Sequence, residues 1–93
     1  MAKQGSGYLG TNKIEVSSLN QEIVPEKPSN WTIPYHLYKF SFINYQDVIV
    51  LINGDTEIFL KAGQGFEMNE IDKPITSFII KDANVEYSYI AAY

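Results

Sequence analysis

In several segments of this chain apolar and polar residues alternate with the period of two that sends successive strand side chains to opposite faces. The segment Lys13-Ile14-Glu15-Val16-Ser17 predicts a short strand with Ile14 and Val16 turned inward. From His36 to Ile43, Tyr38, Phe40 and Phe42 fall on one face and Lys39 and Ser41 on the other. Asp47 to Ile52 contains the continuous apolar run Val48-Ile49-Val50-Leu51-Ile52, rich in β-branched residues, which predicts a central strand buried on both faces. Asn53-Gly54 with Asp55 supplies a tight hairpin turn, and Thr56–Leu60 returns antiparallel. Ile75–Lys81 predicts a strand with Phe78 and Ile80 opposite Ile75 and Ile79. Val85, Tyr87 and Tyr89 point one way in the last segment.

Turn-forming residues separate these runs: Asn44-Tyr45-Gln46-Asp47, Ala62-Gly63-Gln64-Gly65-Phe66, Asp72-Lys73-Pro74 and Asp82-Ala83-Asn84. No stretch sustains apolar spacing at i, i+3, i+4 and i+7, so the pattern predicts very little helix. The expected fold is all-β: a single antiparallel β-sandwich or small barrel of about six to seven short strands. Residues 1–12 form an extended Gly/Ser-rich arm, and 13–93 the sandwich domain. Within that domain, Pro25, Pro28 and Pro34 make 19–34 an extended connector, with Trp31 flanked by Ile33 and Tyr35. A Gly-rich arm takes a fixed path only where this domain or a neighbouring chain holds it.

Composition narrows the chemistry. The 93 residues contain no Cys, which excludes disulfides, thiolate zinc sites and cysteine nucleophiles. His36 is the one histidine, and all seven basic residues are Lys. The net charge of −4 falls within 36–93, since 1–35 hold three Lys against three Glu. An acidic chain without Arg meets phosphate with repulsion and without bidentate contacts, so nucleic acid is not an expected partner. The sequence also has no apolar run long enough to span a bilayer and no signal-peptide pattern, which predicts no membrane association and cytoplasmic synthesis. Asn30-Trp31-Thr32 fits the glycosylation acceptor pattern, which matters only in a secretory pathway.

Candidate catalytic groups each have a plainer reading. Gly63-x-Gly65 lacks the Lys-Ser/Thr and following helix of a phosphate loop, and is read as a bend between strands. Asp47, Asp55, Glu57, Asp72 and Asp82 crowd the predicted turns, where carboxylates serve the backbone more readily than a cation or glycosidase chemistry. No Ser/Asp pattern identifies His36 as a base. The expectation is a chain with no enzymatic activity, no cofactor and no metal.

The aromatic residues point instead to binding. Phe40, Phe42, Phe59 and Phe78 fit core positions, while Tyr8, Trp31, Tyr35, Tyr45, Tyr87, Tyr89 and Tyr93 are many to bury. Half-exposed Tyr and Trp on a rigid sheet make anchors for a protein partner. The expected contact residues are Tyr8 and Leu9 of the arm with Trp31 and Tyr35 of the connector. Alternatively, Trp31, Tyr35 or Tyr45 forms a stacking platform in a carbohydrate-binding module.

One further pattern runs through Phe42-Ile43-Asn44, Asp47-Val48, Ile52-Asn53-Gly54, Ile58-Phe59-Leu60 and Ala62-Gly63-Gln64-Gly65-Phe66. It continues through Asp72-Lys73-Pro74-Ile75, Ser77-Phe78 and the ending Val85-x-Tyr87-x-Tyr89-Ile90-x-Ala92-Tyr93. This pattern resembles small β-rich virion structural proteins of tailed bacteriophages, of the head-decoration, auxiliary-capsid or fibre-associated type. The resemblance spans roughly 40–93 and consists of strand and turn residues, so it carries over no catalytic residue. It implies a non-enzymatic virion protein, made in a host cytoplasm and bound in many copies to the major capsid protein, another virion component or itself.

Overall fold

A computed structural model describes residues 7–27, 29–32, 35–68 and 73–93. The first half of the predicted arm, Pro28, Ile33, Pro34 and Asp72 lie outside the described residues. Among the described residues there is no helix, and nine short strands follow one another. They are β1 (Tyr8–Gly10), β2 (Glu15–Val16), β3 (Gln21–Glu22), β4 (Lys39–Asn44), β5 (Val48–Ile52), β6 (Thr56–Leu60), β7 (Phe66–Met68), β8 (Phe78–Ile80) and β9 (Glu86–Ala92).

The strands form two antiparallel sheets packed as a β-sandwich. The first has the order β1-β9-β4-β7, with β2 also paired to β9, and the second has the order β3-β8-β5-β6. The count exceeds the six or seven read from the sequence because β1, β3 and β7, which pair over only two or three residues, join the strands that the pattern predicts. Segments that short show too little alternation to be recognised.

The core lies between the sheets. Phe40 and Phe42 of β4 meet Phe78 of β8 at ring-centroid distances of 4.8 and 4.9 Å. Val48, Val50, Leu60, Ile80, Tyr87 and Ala91 complete a continuous buried cluster. The hairpin turn forms as its residues require: Asn53 and Gly54 have φ of 55° and 73°, and the Asp55 N–H donates to Ile52 O at 3.2 Å.

Several side-chain directions differ from the sequence expectations. Ile14 and Val16 are exposed, and the buried residue of that segment is Ser17. Ser17 Oγ donates to Asp82 O at 2.7 Å and accepts the Val85 N–H at 3.0 Å, so hydrogen bonds fix this segment in place of apolar burial. β5 is buried on one face only, because Val48, Val50 and Ile52 point inward while Ile49 points to solvent. Phe59 is not a core residue: it is 58% exposed, opposite Ile49 on the outer face of the β5–β6 hairpin. Ile75 does not face away from Phe78 and Ile80 either, since it shares the core with them. It is buried in a bridge with Leu37, and the regular strand begins only at Phe78.

Candidate interaction surfaces

The four contact residues expected from the sequence divide between two places. Tyr8 of β1 is 82% exposed on the outer face of its sheet, whereas its neighbour Leu9 turns inward against the core. Tyr35 is only 9% exposed, and Trp31 is half-buried. These two rings lie 4.8 Å apart and both meet Tyr93, at 4.7 Å from Tyr35 and 5.7 Å from Trp31. Trp31 and Tyr35 therefore anchor the connector to the chain's own last residue. Tyr45, the remaining platform residue of the carbohydrate reading, is exposed in the β4–β5 turn, away from both groups.

Backbone pairing holds Tyr8 in place. Tyr8, Leu9 and Gly10 pair with Ala92, Ala91 and Ile90, and Gly7 and Tyr93 exchange backbone hydrogen bonds at 3.2 and 3.0 Å. The cross-strand register then builds an outer face in rows. Tyr8, Ala92 and Lys39 form one row, and Gly10, Ile90, Ser41 and Glu67 the next. Ile90 is 61% exposed. A groove of about 560 Å³ crosses this face, lined by Tyr8, Lys39, Ser41, Glu67, Ile90 and Ala92 among others.

The outer face of the second sheet has a different character. Phe59 and Ile49 lie directly opposite each other, and Leu51 sits between Glu57 on β6 and Ile79 on β8. Phe59, Ile49, Leu51 and Ile79 thus form an apolar quartet. Glu57 and Glu22 close its row, since Glu22 pairs with Ile79. Glu22 is fixed in position, accepting the Phe78 N–H at 2.7 Å and a short hydrogen bond from Ser77 Oγ.

A polar cleft of about 430 Å³ lies near the edge formed by β1 and β2, between Glu15, Gln21, Tyr87 and Tyr89. Its hydroxyls are engaged in the fold. Gln21 Nε2 donates to Tyr87 Oη at 3.0 Å, and Tyr89 Oη donates to Ile23 O at 3.2 Å. Burial pushes the Tyr87 hydroxyl above the usual phenol pKa, with the Glu15 carboxylate adding to the effect and the Gln21 hydrogen bond opposing it. Burial also raises Tyr89, helped by the neighbouring Tyr87.

Two turn carboxylates bind backbone N–H groups and a third a neighbouring hydroxyl. Asp47 Oδ1 accepts the Ala62 N–H at 2.8 Å, Asp82 Oδ2 accepts the Ile49 N–H at 2.9 Å, and Asp55 accepts the Thr56 hydroxyl at 2.9 Å. Among the described residues no group of three His, Asp or Glu is placed to hold a metal ion, and no helix could cross a membrane. His36 is exposed between buried Tyr35 and Leu37, and no described side chain hydrogen-bonds to it.

The sequence reading singles out none of Lys39, Ser41, Glu67 and Ile90 on one face, or of Ile49, Leu51, Phe59 and Ile79 on the other, as contact residues. Strand parity holds the signal for most of them. Phe59 stands between Ile58 and Leu60, which share the inward face, and Ile90 is out of phase with Val85, Tyr87 and Tyr89. No family model, no curated protein and no solved structure matches this chain.

Proposed function

We propose that this chain is a non-enzymatic structural protein of a tailed-bacteriophage virion, decorating the capsid in many copies through protein–protein contacts. The observation that carries the reading is the quartet Phe59, Ile49, Leu51 and Ile79 on the outer face of the β3-β8-β5-β6 sheet. Contiguous apolar side chains on a rigid surface mark macromolecular interaction sites. An apolar centre with charged residues at its rim is the anatomy of a protein interface, and Glu57 and Glu22 supply that rim here. The proposed occupant is a subunit of the major capsid protein, with the virion as the site of action. The resemblance over 40–93 and the arginine-free, acidic composition fit attachment to protein and not to packaged nucleic acid.

The test uses particles purified from the chain's native source. Phe59→Asp and Ile49→Asp both place a charge on the outer face, so the fold should survive, as circular dichroism would verify. Each variant should lose at least about tenfold in copies per particle, the effect of removing one interface anchor. Unchanged occupancy, or absence of the wild-type chain from particles, would refute the proposal.

A further inference from the structure

We infer that the opposite face of the sandwich, the outer side of the β1-β9-β4-β7 sheet, carries a binding groove for a neutral oligosaccharide. The inference stands apart from the capsid reading, because it uses a different sheet and different residues.

The groove of about 560 Å³ lies within the ordinary range for small-ligand sites. Its lining is amphipathic in the way a pyranose is. A sugar ring offers a face of C–H groups and an edge of hydroxyls that both donate and accept. Tyr8, 82% exposed, presents an aromatic surface for the C–H face. Ile90 and Ala92 extend the apolar floor.

The polar groups fit the hydroxyl edge. Lys39 brings donors, Ser41 a donor and an acceptor, and Glu67 acceptors only. Lys39 Nζ lies 5.9 Å from the Tyr38 ring centroid. Among the described residues, the side chains of Lys39, Ser41 and Glu67 form no hydrogen bond and no ion pair. Their capacity remains available to a ligand. The lining contains one cation and one anion, so it favours neither an anionic nor a cationic sugar, and a neutral one meets no uncompensated charge.

The site is also preorganised. Lys39 and Ser41 lie on β4, Glu67 on β7, Ile90 on β9 and Tyr8 on β1, which are successive strands of one hydrogen-bonded sheet. Little backbone ordering would be needed on binding, which lowers the cost of association.

The experiment is amide-resolved NMR titration of the full chain with maltohexaose, cellohexaose and chitohexaose, each to millimolar concentration. At least one of them should shift the amides of Ser41, Glu67 and Ile90. Tyr8→Ala and Glu67→Ala should each weaken that sugar at least about tenfold, as loss of a central contact does. Both residues are solvent-facing, and thermal unfolding would verify that the variants fold. Trp31 emission should stay unchanged, since Trp31 packs with Tyr35 and Tyr93 on the inner side. Absence of shifts with all three sugars would overturn the inference. So would shifts centred on Trp31 and Tyr93 that survive Tyr8→Ala.

Discussion

Asn44 and Gly65 are joined by a hydrogen bond from the Gly65 N–H to Asn44 Oδ1 at 2.9 Å, and this contact belongs to a clasp between the two sheets. Asn44 ends β4 with its side chain 0% exposed. Its Nδ2 donates toward Gln46 O, Lys61 O and Leu60 O at 2.8, 2.9 and 3.2 Å. Leu60 ends β6 and Lys61 follows it directly, so one carboxamide ties the sheets together. Asn44→Ala should cost about 3 kcal/mol in urea unfolding, because several buried groups lose their partner at once. Asn44→Asp can still accept from Gly65, but its ionised form has no donor for the three carbonyls. Burial would raise that carboxyl's folded pKa. Stability of the variant should therefore be greatest below the unfolded value of about 3.9 and fall as pH rises through the folded pKa.

Gly63 and Gly65 offer a matched pair of substitutions. Both have left-handed backbone, with φ of 80° and 71°. A Cβ at Gly63 meets open space, whereas one at Gly65 would lie 2.7 Å from Phe42 O. Gly63→Ala should cost only the left-handed penalty of about 1 kcal/mol. Gly65→Ala adds a clash with backbone and should cost about 3 kcal/mol in the same assay. Equal losses at the two sites would contradict this account of the bend.

The buried phenols predict a limit to alkaline stability. Tyr87 and Tyr89 have folded pKa values raised above 10.0, chiefly by burial. Above that value the unfolded chain releases these protons more readily than the folded one. Their contribution is thus complete below about pH 10 and is lost as pH rises through the folded values. Thermal unfolding midpoints should fall steeply in that window. Tyr87→Phe combined with Tyr89→Phe should flatten the decline, and an unchanged profile would assign it to other groups.

Tyr35 tests whether the connector is part of the fold. It packs against Trp31 and Tyr93 and is almost wholly buried. Tyr35→Ala should destabilise the chain by about 3 kcal/mol, the range for removing a buried aromatic side chain. The same change should shift Trp31 emission toward longer wavelength as its surroundings become wetter. A silent substitution would mean that the connector is only loosely held.

Most of the architecture is legible from the alternation of residues and from the turn chemistry of Asn53-Gly54 and Gly63-x-Gly65. Failures came where pattern and packing part company. The Val/Ile-rich run of β5 is apolar throughout, and no local rule says that Ile49 faces solvent while Val48 and Val50 do not. Ile14 and Val16 alternate like core residues, yet β2 is a short strand pinned by Ser17, whose partners Asp82 and Val85 lie far along the chain. The make-up of the two outer faces is less legible still. Tyr8 can be singled out as a lone aromatic in a glycine-rich segment. Its groove partners Lys39, Ser41 and Glu67 come together only through the order β1-β9-β4-β7, which joins distant segments. Tyr35 looked like a free anchor because nothing local reveals that Tyr93 covers it.

The central claim is that the apolar outer face of the β3-β8-β5-β6 sheet seats this protein on a virion. A cryo-electron microscopy reconstruction of particles from the native source tests it most directly. The account predicts many copies of the sandwich lying with Phe59 and Ile49 against the capsid shell, and with the Tyr8 groove turned to solvent. Copies seated through the β1-β9-β4-β7 face, or particles that carry no such density, would contradict it.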